Sequence, residues 1–95
     1  MRERDYQRGL IKRMKAMFPG SLIIKTDSSH DQGIPDLLIL YRSTWAALEV
    51  KRSSKASHRP NQDEFVNELD AMSFARFIFP ENETEVLNEL REYFG

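Results

Sequence analysis

Asp36, Glu49 and Lys51 have the types and spacing for hydrolytic chemistry. Asp36 ends the tetrapeptide Gly33-Ile34-Pro35-Asp36 and opens an apolar run, Leu37-Leu38-Ile39-Leu40-Tyr41. After twelve intervening residues, Glu49-Val50-Lys51 closes a second run, Trp45-Ala46-Ala47-Leu48. Short apolar runs bounded by a Gly-Pro turn and by polar residues read as two neighbouring strands. Alternation along a strand turns Glu49 and Lys51 to one face, together with Trp45 and Ala47. Charges buried at the end of a hydrophobic strand are costly unless they are paired or bind something. Two carboxylates and an ammonium meeting at one spot suit a divalent cation and an activated water. Mg²⁺ takes oxygen ligands and keeps several waters, so one or two carboxylates suffice. Such an ion lowers the pKa of a bound water. The simpler alternatives are that Asp36 is a turn residue after proline and that Glu49 and Lys51 are a pair guarding an edge strand.

The surrounding pattern supplies elements to position these groups. Tyr6, Leu10, Ile11, Met14, Met17 and Phe18 recur at three- and four-residue spacing and form the stripe of a first helix, ended by Pro19-Gly20. Glu3 falls in line with Tyr6, Leu10 and Met14 on that stripe. It either looks inward toward the acidic cluster or occupies a first turn, where acids favour the helix dipole. Residues 22–26 read as a first strand, followed by a polar loop over 27–32 that holds His30. Strands at 36–41 and 45–51 are joined by Arg42-Ser43-Thr44, a hairpin-length connection. A basic, serine-containing loop at 52–59 is expected to be mobile. Pro60 suits the first position of a second helix, whose stripe is Phe65, Val66, Leu69 and Met72, with Gln62 on the same side. Residues 74–79 read as a strand buried on both faces, stopped by Pro80. Asn82 with Glu85 resembles a capping box for a last helix bearing Val86, Leu87, Leu90, Tyr93 and Phe94. The order is helix, three strands, helix, strand, helix: an α/β sandwich around a four-stranded mixed sheet, with a right-handed crossover through the second helix.

The G-I-P-D and E-V-K segments, with Gln62 opening the second helix and Glu3 on the first, resemble the PD-(D/E)xK nuclease superfamily. More narrowly they resemble its VRR-NUC family, in the small stand-alone phage or bacterial form, over nearly the whole chain. The resemblance implies a restriction-endonuclease-like αβββαβ core with a C-terminal helix. It implies a metal-dependent endodeoxyribonuclease using Mg²⁺ or Mn²⁺, with Asp36, Glu49, Lys51, Gln62 and Glu3 as the catalytic set. The metal ligands would be Asp36, Glu49 and the backbone carbonyl of Val50, with Glu3 acting through water or at a second metal. Lys51 would hold the attacking water or a phosphate oxygen, and the Gln62 amide would orient either without adding charge. Gln62 also reads simply as a polar residue of a first helical turn. The small members resemble Holliday-junction resolvases acting as symmetric dimers, which implies a homodimer on duplex, flap or four-way-junction DNA.

Charge agrees with such a substrate once its distribution is considered. Net charge is only -1, but residues 1–60 hold 12 Lys/Arg against 6 Asp/Glu, and residues 61–95 hold 2 against 9. A local basic surface attracts phosphates whatever the total. No acid lies between Glu49 and Asp63, while Lys51, Arg52, Lys55 and Arg59 fall in that stretch. Arg52, Lys55, His58 and Arg59 are the candidate nucleic-acid contacts, joined by Lys25 of the first strand, and the acidic tail is expected to face elsewhere. Ninety-five residues make one domain, and 40% hydrophobic with 31% charged content places it among ordinary globular proteins. With no cysteine there is no disulfide framework or thiolate metal site. No apolar run approaches the roughly 20 residues of a membrane span, and no signal-peptide core opens the chain, so a cytoplasmic protein of a bacterium or phage-infected cell is expected. Glycine-rich phosphate loops are missing, which argues against a nucleotide cofactor. Two other classes stay open: a non-catalytic DNA-binding or assembly module that retains the nuclease fold, and a protein-interaction domain whose buried charges are structural.

Overall fold

Alternation along β2 (Leu37–Tyr41) and β3 (Thr44–Val50) divides the sheet into two unlike faces. Directly opposed residues of antiparallel strands share a face; Leu37 opposes Leu48 and Ile39 opposes Ala46. These four, with Val50 and Ile78, are buried in the main core against Tyr6, Leu10 and Met14 of α1 (Glu3–Met17) and Val86, Leu87 and Leu90 of α3 (Glu83–Phe94). Phe18, Tyr41 and Phe94 close one end of that core, their ring centroids 5.3–5.5 Å apart in tilted and edge-on contacts. The other face carries Leu38, Leu40, Trp45 and Ala47. There Ala47 and Ala75 pack with Val66 of α2 (Gln62–Met72), flanked by Trp45, Leu69 and Phe77.

The computed structural model describes residues 1–27 and 33–95; the polar loop at 28–32, including His30, lies outside them. The sheet order is β1-β2-β3-β4, with β1 (Leu22–Lys25) antiparallel to β2, and β4 (Ala75–Ile78) parallel to β3 across α2. The chain is therefore α/β, with a four-stranded mixed sheet flanked by helices in the order αβββαβ and a C-terminal helix. α2 covers only the β3–β4 half of the second face. Beside it a cavity of about 370 Å³, lined among others by Pro35, Leu38, Leu40, Trp45 and Leu69, stays open, and Leu22 and Ile24 are exposed.

Local expectations differ from the structure in four places. The turn between β2 and β3 is only Arg42-Ser43, with Arg42 in the left-handed region at φ 58° and Thr44 already in the strand. Pro60 is not the first residue of α2: Asn61, at φ 71°, forms its N-cap and the helix starts at Gln62. Asn82 makes no capping box. Its Oδ1 accepts the N–H of Phe79 and its Nδ2 donates to the Phe77 carbonyl, so the side chain secures the exit of β4 instead. β4 is an edge strand buried at Ala75 and Ile78, while Arg76 is drawn to its rim by Asp70 and by Glu89 of α3.

α1 and α3 are joined by one carboxylate. Glu83, in the first turn of α3, accepts from Arg13 Nε at 2.7 Å, from Arg13 Nη2 at 2.8 Å and from the Tyr6 hydroxyl at 2.8 Å. Arg13 first, and Tyr6 with it, hold the Glu83 carboxyl below the ordinary carboxylate range against partial burial. A depressed acid contributes stability that is present above its unfolded pKa and lost as pH falls through its folded one. Glu83→Gln is therefore expected to unfold more readily at neutral pH, by about 1–2 kcal/mol. The gap to wild type should narrow as pH falls below the ordinary carboxylate range and through the depressed folded value, where Glu83 itself takes up a proton. Urea titrations at pH 7 and pH 3 check this; equal destabilisation at both would refute the ionic contribution.

Candidate active site

The site lies on the α2 side of the sheet, where β2 begins and β3 ends. Asp36 immediately precedes Leu37, and since Leu37 pairs with Leu48, Asp36 stands opposite Glu49. Its Oδ2 accepts the Val50 N–H at 3.0 Å, so a carboxylate continues the ladder where the β2 backbone turns away. A strand residue's N–H and C=O point to the same side, which directs the Val50 carbonyl toward Asp36 as well.

Glu49, Lys51 and Gln62 are 2%, 5% and 2% exposed. Gln62 ties them together. Its Nε2 donates to Glu49 Oε2 at 3.0 Å, while its Oε1 accepts from Lys51 Nζ at 2.8 Å and from the Arg59 N–H at 2.8 Å. Two donors on one oxygen fix which end of the amide is which. Lys51 Nζ also donates to the Ser57 carbonyl at 3.1 Å and lies 3.7 Å from Glu49 Oε2. The structure thus brings Asp36, Glu49, Lys51 and Gln62 together, from the residue before β2, the end of β3, the residue after it and the start of α2.

Glu49 Oε1 is buried with no hydrogen-bond partner. Buried polar atoms are nearly always satisfied, so an orphan oxygen facing a second carboxylate marks a place built for something else. Burial first, then the negative charge of Asp36 and a hydrogen bond that the two carboxyls can share once one is protonated, push the Glu49 carboxyl up to about 8, and Lys51 offsets this only in part. The cluster is short of positive charge. A hard divalent cation fits that need, with Asp36, Glu49 and the Val50 carbonyl as oxygen donors and water filling the rest of its shell. Among the described residues, no three carboxylate, imidazole or thiol side chains converge into a ready-made cage. Glu3 is exposed in the first turn of α1. Its carboxyl is nevertheless raised, by desolvation first and by Asp36 second, while Lys51, Arg59 and Arg52 act the other way. It stands within electrostatic range of the cluster, on the solvent side.

The loop after β3 exposes Arg52, Lys55 and Arg59 and is fastened at several points. Glu81 accepts from the Ser54 N–H and hydroxyl at 3.1–3.2 Å, which lowers the Glu81 carboxyl pKa. The His58 ring stacks on Phe77 and its Nδ1 lies 2.9 Å from Asp63 Oδ1. Lys25 is exposed at the end of β1, beyond β2 from this loop. Sequence reasoning missed Asp63, Phe77 and Glu81 as loop anchors; acids beside a helix start carry no mark distinguishing an anchor from a dipole partner.

Gly33 explains why the tetrapeptide begins with glycine. It adopts φ +94°, and an added Cβ would lie 2.9 Å from the Asn61 carbonyl carbon. The segment leading to Asp36 therefore presses directly on the start of α2, one residue before Gln62. Gly20, at φ +86°, has open space around it. Gly20→Ala should cost about 1–2 kcal/mol from the left-handed backbone alone, and Gly33→Ala at least about 1 kcal/mol more, because backbone must shift. Thermal unfolding of the two variants checks this; equal losses would show that the contact is loose. Compared with protein-family models, curated proteins and solved structures, the chain matches none.

Proposed function

We propose that the protein is a divalent-metal-dependent endodeoxyribonuclease that hydrolyses DNA phosphodiester bonds with selectivity for DNA structure, working as a homodimer. The observation that carries this reading is the orphaned, buried Glu49 oxygen opposite Asp36, beside a lysine whose position is set by Gln62. Mg²⁺ or Mn²⁺ bound there would activate a water and offset charge on the scissile phosphate. The chain's own groups do the rest. Asp36 and Glu49 supply ligand oxygens, and Asp36 keeps its place through the Val50 N–H. Lys51 has three donors: two go to Gln62 and Ser57, and the third is available to a water or a phosphate oxygen. Glu3 adds a solvent-side carboxylate. Arg52, Lys55 and Arg59, with a contribution from Lys25, supply phosphate contacts that position DNA without reading bases. A two-fold enzyme suits a two-fold junction.

The alternative of a non-catalytic DNA-binding or assembly module draws on the closed Glu49–Gln62–Lys51 network, which holds together without a metal. It predicts DNA shifts without cutting.

Titrating Mg²⁺ or Mn²⁺ into plasmid and four-way-junction cleavage assays separates the two. Asp36→Ala, Glu49→Gln and Lys51→Ala are each expected to lower cleavage by about 100-fold or more with circular dichroism unchanged; full cleavage by Glu49→Gln would remove the mechanism. Reversing charge at Lys55 and Arg59 should weaken binding. It should also flatten the salt dependence by about 1 in log–log slope for each phosphate no longer neutralised. Unchanged affinity would show that the loop is not the DNA surface.

A further inference from the structure

His58 separates the two backbone groups that reach into the site. On one side of it the Ser57 carbonyl accepts Lys51 Nζ at 3.1 Å, and on the other the Arg59 N–H donates to Gln62 Oε1 at 2.8 Å. The imidazole lies nearly parallel to the Phe77 ring, with centroids 4.1 Å apart and planes 12° apart. Its Nδ1 lies 2.9 Å from Asp63 Oδ1, where the Nδ1–H tautomer or the charged ring donates. Both anchors sit on elements that carry the site: Phe77 is paired in register with Glu49, and Asp63 follows Gln62 on α2. The ring therefore spans sheet and helix at the point where loop backbone meets catalytic side chain.

We infer that His58 is a positioning residue: by pinning the loop on Phe77 and Asp63 it holds the Ser57 carbonyl and the Arg59 N–H in place, and through them aims the Lys51 ammonium and the Gln62 amide. The catalytic part of this inference rests on the nuclease reading. A lysine stem is long and rich in rotamers, so one acceptor leaves it loose and two acceptors fix its direction. Without the pin, the Ser57 carbonyl is free to leave. Lys51 then keeps only Gln62 and can swing onto Glu49 Oε2, now 3.7 Å away. That would hand the cluster's positive charge to the carboxylate meant for the metal. The exposed Arg52, Lys55 and Arg59 side chains would remain to bind phosphate, so turnover should suffer more than affinity.

Two measurements on the full chain test this. The first is the ¹H–¹⁵N signal of the Lys51 ammonium in metal-free protein, which needs no activity. It should be sharp and slowly exchanging in wild type, broadened in His58→Ala, and mostly but not fully recovered in His58→Phe, which keeps the stacked ring and loses the Asp63 contact. The second is steady-state cleavage of a four-way junction with Mn²⁺. His58→Ala should lower kcat by about 10–100-fold with KM within about two-fold of wild type, His58→Phe should recover most of it, and Asp63→Ala added to His58→Ala should cost nothing further. If His58→Ala fails to fold, His58→Phe and Asp63→Ala alone carry the test, with partial losses expected in signal and in kcat. An unchanged ammonium signal in the unpinned variants overturns the inference. So does a raised KM and shallower salt dependence at constant kcat, which would make His58 a phosphate contact. A wild-type protein that cuts no DNA would instead overturn the nuclease reading, and the ammonium signal would still decide the positioning.

Discussion

The neutral amide of Gln62 allows a buried acid and a buried ammonium to sit side by side without closing into a direct ion pair. A direct ion pair in a dry site must overcome the desolvation of both partners, and here it would also consume Glu49. Gln62 donates to the acid and accepts from the base, so each charge has a partner while one Glu49 oxygen stays unclaimed. Such networks are stabilising only when every other member is satisfied. The Arg59 N–H and the Ser57 carbonyl supply the remaining contacts from the loop. Helix, sheet and loop meet at that one side chain.

The split between a basic first part and an acidic last part of the chain is not a split in space. Asp63 and Glu81 bind the basic loop through His58 and Ser54, and Glu83 binds Arg13. Asp63 and Glu81 take side-chain and backbone partners at the base of the loop while Arg52, Lys55 and Arg59 stay exposed. The acidic tail thus does more than face away from a polyanion: part of it holds the cationic surface in shape.

Much of this was legible because two periodicities are stiff. The two-residue repeat of β2 and β3 set which side chains share a face, and so put Asp36, Glu49 and Lys51 together; the helical repeat put Gln62 on the buried side of α2. Boundaries were less legible where a long-range contact overrides local preference. Pro60 does not begin α2, because Asn61 takes a left-handed turn against Gly33. Asn82 leaves its helix uncapped because the end of β4 needs both ends of its amide. Glu3 falls on the apolar stripe by angle yet is exposed, since its position in the first turn, not its angle, decides burial. The open half of the second face has a plain cause as well: an 11-residue helix covers two strands and not four.

The Glu83 clasp also has mechanical meaning. Arg13 lies ten residues from Glu3 along α1, about 15 Å at the helical rise. An α-helix of this length behaves as a stiff rod, so a tilt of about 5° at the clasp would swing its amino end by roughly 1 Å. The reach of the Glu3 carboxylate toward the Asp36–Glu49 cluster is thus governed by the hold of Glu83 on Tyr6 and Arg13 further along the rod, and loosening that hold would shift the cluster's outer rim without touching any group inside it.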